Sequence, residues 1–255
     1  MTRILLVSVL ALLCCCSAER GREDATALPD FDVLWDYNRP DTTEARFREI
    51  LPLAESSGDA SYRAQLTTQI ARAQGLQMKF DEAHRTLDRV RDMLTEDLVA
   101  AKIRYLLERG RVFNSSGLAD SARPLFLEAW EAGLAAGEDY YAVDAAHMMA
   151  IIEPVEDQLV WAGKAMEVAE QSSDERARGW LGSLYNNTGW TYHDLGDYEK
   201  ALDLFEKALA WNKEKGNEER VRIARWTVAR AYRSLGRVEE ALAVRCHRSL
   251  RSVCA

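Results

Sequence analysis

A chain of 255 residues that is 47% apolar and 29% charged can bury a continuous core and is not a disordered polymer. Its formal net charge of −8 argues against nucleic acid as a partner, because phosphate binding wants clustered Lys and Arg. Five prolines and no run of period-two alternation exclude a β-rich fold and point to an all-helical one.

Residues 1–18, MTRILLVSVLALLCCCSA, read as an export signal, with Arg3 ahead of an apolar run from Ile4 to Leu13. That run is about ten residues long, too short to span a bilayer. Cys16-Ser17-Ala18 places small residues for cleavage after Ala18. Leu13-Cys14-Cys15-Cys16 is also similar to a bacterial lipoprotein box, in which Cys16 would be acylated, although Cys15 stands where Gly, Ala or Ser is usual. The expected location is therefore periplasmic or outer-surface, with a lipid on Cys16 as the expected route to a membrane. Residues 19–40 follow as a tether, Glu19–Asp24, and an N-terminal cap containing Phe31, Val33, Leu34 and Trp35. These four are read as a cap on the first helices rather than as a binding motif.

From residue 41 a rhythm sets in. Small residues recur at Ala71, Gly110, Ala150, Gly189 and Ala229, at intervals of 39, 40, 39 and 40. A second small series follows each of them: Ala83, Ala122, Ala162, Ala201 and Ala241. Bulky residues come next at Leu87, Phe126, Met166 and Phe205, until Arg245 and Arg248 break the register. Such a period predicts helical hairpins that cannot bury their apolar faces alone and must stack. Thr43, Phe47 and Ile50 repeat the second-helix register, so 41–56 is expected to cover the end of the stack. Gly117, Gly196 and Gly236 mark corners inside hairpins, and Gly58-Asp59, Gly137-Glu138, Ser173-Asp174 and Gly216-Asn217 separate one hairpin from the next. Glu153-Pro154 should stop the first helix of the third hairpin early. Residues 246–255 are read as an irregular basic tail.

The stretch Ser183–Asn217, with Gly189, Tyr192, Ala201, Phe205 and Ala208, resembles the tetratricopeptide repeat family, and the likeness extends over roughly 60–245. The period near 40 departs from the usual 34 of that family. The resemblance implies a right-handed superhelical solenoid over 41–245: a lone or degenerate first repeat, then about five repeats. It also implies that first helices line a concave face, and that the function is to hold a protein or peptide there.

Chemistry is sparse. The sequence has no G-x-S-x-G, G-x4-G-K-[ST], H-E-x-x-H or C-x-x-C, and its four histidines are scattered. No catalytic, cofactor or metal residues are assigned, and an enzyme is not expected. If first helices line the inner face, Arg72, Arg111, Trp190 and Arg230 project there, joined by Asn186 and Trp226, with Arg104, Asn114, His193 and Arg233 as further points. Arg forks suit carboxylates, Trp offers a flat apolar face and Asn pairs with peptide backbone, which fits an extended acidic peptide or a free C-terminus. The plain alternative is that these are solvated Arg and edge-packed Trp. Three functions stay open: an exported adaptor, an intracellular peptide-sensing regulator, and an accessory subunit of an enzyme.

Overall fold

The computed structural model describes residues 28–246. The leader with Cys16, the tether Glu19–Asp24 and tail residues 247–255 lie outside the described residues. Within them every regular element is helical, and no helix is long and apolar enough to cross a membrane.

A 3-10 turn, Phe31–Leu34, precedes α1 (Pro40–Ser56). Five hairpins follow: α2 (Ala60–Leu76) with α3 (Phe80–Arg91), α4 (Val99–Ser115) with α5 (Ala119–Ala136), and α6 (Asp139–Ile152) with α7 (Val155–Gln171). The fourth pairs a broken first helix, α8 (Glu175–Arg178) and α9 (Leu181–Asp194), with α10 (Tyr198–Glu214). The fifth pairs α11 (Glu218–Ser234) with α12 (Val238–Cys246). Consecutive hairpins stack into a solenoid, and α1 lies against α2 with Thr43 and Phe47 fully buried.

The alternation of small and bulky residues dictates the stacking. Phe126 and Phe205 are fully buried, each over the glycine of its own hairpin. A Cβ built on Gly110 would stand 2.5 Å from the Phe126 ring, and one on Gly189 would stand 2.6 Å from Phe205. The ring therefore occupies the space a side chain would need, and burying each Phe contributes about 1.5–3 kcal/mol. Ala83, Ala122 and Ala201 are likewise fully buried between helices.

Corners follow the same logic. Gly117, Gly196 and Gly236 have φ of 83°, 82° and 74°, the left-handed region that a Cβ disfavours. Beyond Gly196 the Asp197 carboxyl accepts the Lys200 N–H and caps α10. In the first hairpin Met78 holds this corner at φ 61°, a strained position for a residue with a side chain. In the third, α6 stops at Ile152 and the chain passes through extended Glu153 and Pro154.

Candidate functional site

First helices α2, α4, α6, α9 and α11 line a run of cavities joined at Trp180 and His147, called the trough below, and its two ends are chemically different. At the α2–α6 end a cavity of about 210 Å³ is lined by Arg72, Arg104, Glu108, Tyr140, Asp144 and Trp180, among others. Glu108 and Asp144 are almost fully buried and hold the arginines in a chain. Arg72 Nη1 donates to Glu108 Oε1 at 3.0 Å, and Arg111 Nη1 donates to the same oxygen at 2.8 Å. The other end of the Arg111 fork donates to Asp144. Burial opposes the charge on Arg72, but Glu108 outweighs it and raises the guanidinium pKa. Burial, helped by Asp144, pushes the Tyr140 hydroxyl up to about 12. Arg72 and Arg111 were expected as open forks for a ligand carboxylate. The structure instead pairs both with carboxylates of the neighbouring first helices.

The chain's own N-terminal segment lies over this end. Asp32 takes both arms of the Arg104 fork, at 2.9 and 2.5 Å. Trp35 Nε1 donates to Gln69 Oε1 at 3.1 Å, and the Tyr62 hydroxyl donates to the Pro29 carbonyl at 2.7 Å. Phe31 is buried edge-on against Phe47 and Tyr62. Arg72 sits over the stacked rings of Trp35 and Tyr37. The segment thus reaches beyond α1 and α2, the helices it was expected to cap, and touches α4.

At the other end two cavities of about 330 and 320 Å³ meet at His147 and Asn187. Trp180, set at the break between α8 and α9, lines both the first of these and the cavity at the α2–α6 end. Asn186 lines the former and Trp190 the latter of the C-terminal pair. Asn212 is only 7% exposed. Its Nδ2 donates to the Ala208 carbonyl at 2.8 Å, while its Oδ1, beside Gly182 at the cavity wall, receives no donor among the described residues. Burial lowers the His147 pKa, so the imidazole is neutral near pH 7.

Trp226 stacks at a tilt on Trp190, ring centroids 5.8 Å apart, and is 51% exposed. Exposed Arg230 lies one turn further along α11. Among the described residues Arg225, Arg230 and Arg233 have no ion pair, and Arg222 approaches Glu219 only at 3.9 Å. Four of the six expected groove residues, Asn186, Trp190, Trp226 and Arg230, therefore share the C-terminal end. Of the further points, Arg104 is taken by Asp32, and His193 is buried beneath Trp190, bonded to Ser234.

Sequence reasoning passed over Glu108, Asp144, Trp180 and Asn212. Asp144 did carry a signal: one carboxylate in the apolar helix AVDAAHMMA belongs indoors and needs a cation.

The family model for the tetratricopeptide repeat matches residues 161–214 and 183–244. Among solved structures the chain is similar to BtubC (BKLC) from P. vanneervenii, with a TM-score of 0.63 at 14% identity, covering 85% of this chain and 88% of that one. It is also similar to a kinesin light chain assignment from Podosopora anserina with nearly identical TPR-like repeats, with a TM-score of 0.58 at 16% identity, covering 75% and 100%. At such identities the likeness is one of fold. Among curated protein sequences none matches.

Proposed function

We propose that this tetratricopeptide-like solenoid is a non-enzymatic scaffold that holds an extended acidic segment of a partner protein along the α9–α11 end of its trough. The repeat it carries is generally a platform for protein interaction. The observation that carries the finer reading is exposed Trp226 stacked on half-buried Trp190, beside arginines that have no carboxylate of their own among the described residues. An indole face buries apolar side chains of the partner, and neighbouring guanidinium forks take its Asp and Glu. Asn212 Oδ1, at the cavity wall and with no donor among the described residues, suits a peptide N–H. The acidic balance of the whole chain makes this basic stripe a local feature and directs acidic partners to it.

The test is fluorescence anisotropy with a short labelled peptide alternating Glu and Leu, and its Lys-for-Glu counterpart. The Glu peptide should bind in a salt-sensitive way, and Trp190→Ala with Arg230→Ala should weaken it about tenfold or more, with helical circular dichroism unchanged. Equal capture by the double variant, or equal binding of the Lys peptide, removes the reading. The leader supports export, with either cleavage after Ala18 or a lipid on Cys16. Cell fractionation decides this, since a cytoplasmic, unprocessed chain contradicts it.

A further inference from the structure

The segment 28–37 has little structure of its own. Its regular part is a four-residue 3-10 turn, and only Phe31 is buried, while Val33 is 75% and Tyr37 59% exposed. Three side-chain anchors stand in a short span, the Phe31 ring, the Asp32 carboxylate and the Trp35 indole N–H, and the Pro29 carbonyl, the Trp35 ring on Phe47 and the Asp36–Thr43 bonds add to them. Their receptors, by contrast, belong to long packed helices. Arg104 of α4 is 7% exposed and sits over the rings of Phe31 and Tyr141, at 5.1 and 5.6 Å. Among the described residues its one carboxylate partner is Asp32, with Gln65 Oε1 at 3.4 Å as the other acceptor. The receptor groups thus stand on long packed helices, and the segment they hold is short and mostly irregular.

We propose that the α2–α4 end of the trough is an exchangeable binding site for a short acidic-aromatic segment of a partner protein. The pattern it takes is an aromatic residue, Asp, two spacer residues and Trp. Residues 28–37 occupy the site in cis and set the threshold that a partner must exceed. Phe31, Asp32 and Trp35 define the ligand class directly, because each meets a group that a foreign segment of the same pattern would meet. A bidentate carboxylate–guanidinium pair gives direction as well as strength. The flanking Asp36–Arg39 turn joins the segment to α1, so its effective concentration at the site is high and a partner binds only when present in excess or with better anchors. Segments with few buried contacts open most readily, which is what exchange requires. This site is separate from the α9–α11 end and does not rest on the reading given for it.

The test uses the full chain and a fluorescein-labelled synthetic peptide with the sequence of residues 28–39. Wild type should bind it weakly, because the site is filled in cis. Phe31→Ala, Asp32→Ala and Trp35→Ala together remove the three anchors and free the site, and the Kd for the peptide should drop about tenfold or more. Adding Arg104→Gln, or replacing the peptide's own Asp32 by Asn, should abolish that gain. Trp226→Ala with Arg230→Ala should leave it intact. The proposal is overturned if the released variant keeps its helical circular dichroism and binds no tighter than wild type. It is overturned equally if Arg104→Gln has no effect, or if the gain vanishes with the Trp226 and Arg230 changes. Loss of helical signal in the released variant would show the segment to be a fixed strut, and would also overturn it.

Discussion

Arg72, Arg104 and Arg111 at the α2–α6 end each hold a carboxylate, whereas Arg225, Arg230 and Arg233 on α11 hold none among the described residues. The repeat places Arg72, Arg111 and Arg230 at the same register, one past the small residue. What separates them is the neighbour. Arg72 meets Glu108 of the next first helix, and Arg111 meets Asp144 of the one after. Arg230 of α11 meets no carboxylate among the described residues and is exposed. A repeat position thus fixes where a side chain points, and the adjoining repeat decides whether it is structural or available.

The contrast is broken most directly at Glu108. Glu108→Gln leaves the half-buried Arg72 and Arg111 guanidinium groups short of their shared counter-charge and should cost about 3 kcal/mol. Arg230→Ala should stay within about 0.5 kcal/mol. Denaturant unfolding measures both, and equal losses would erase the distinction between the two ends.

Next in size are Gly110→Leu and Gly189→Leu, one from each half. Each pushes a side chain into a Phe ring and should cost about 2 kcal/mol. Similar drops in Tm would show that packing is common to both halves while polarity is not. An unchanged Tm would refute the register.

Titration should set His147 of the trough apart from Glu44 of α1, which lies outside both ends and is held by Arg48 and Gln77. Burial lowers the His147 pKa, so the folded chain resists a proton that the unfolded chain accepts near pH 6.5. Stability is therefore lost as pH falls from about 7 through that value, and His147→Asn should flatten this part of the Tm curve. Burial pulls the Glu44 pKa up, but Arg48 and Gln77 outweigh it and the net shift is downward. Its contribution is present above the unfolded carboxyl value and is lost only as pH falls further, through the lower folded pKa. A His147→Asn curve that overlays wild type would contradict the first assignment.

The smallest effect is a gain. Met78 is 75% exposed and sits at φ 61°, where the later corners use Gly. Met78→Gly should raise stability by up to about 1 kcal/mol in thermal melts, because it relieves the left-handed strain without removing packing.

The register of the solenoid was legible because it rests on local size. Gly189 and Phe205 meet within one hairpin, and their spacing alone announces it. Corners at Gly117, Gly196 and Gly236 were legible because positive φ selects a residue type. The site was legible only in part. The placement of Asn186, Trp190, Trp226 and Arg230 on first helices follows from register, but the loss of Arg72 and Arg111 to Glu108 and Asp144 depends on contacts between repeats. The seat of the N-terminal segment was beyond local reading, since Asp32 and Arg104 are 72 residues apart. The interruption of the fourth hairpin at Gly179-Trp180 was missed too, because its flanks keep helical periodicity.

That interruption has a consequence for any long ligand. Trp180 lines both the α2–α6 cavity and the cavity of about 330 Å³, so it stands where the two proposed binding ends meet. An extended chain running the length of the trough would have to pass it, and the two ends would read separate stretches of that chain with Trp180 between them. Under the two proposals above, the spacing between contacted stretches, as much as their composition, would set which chains fit.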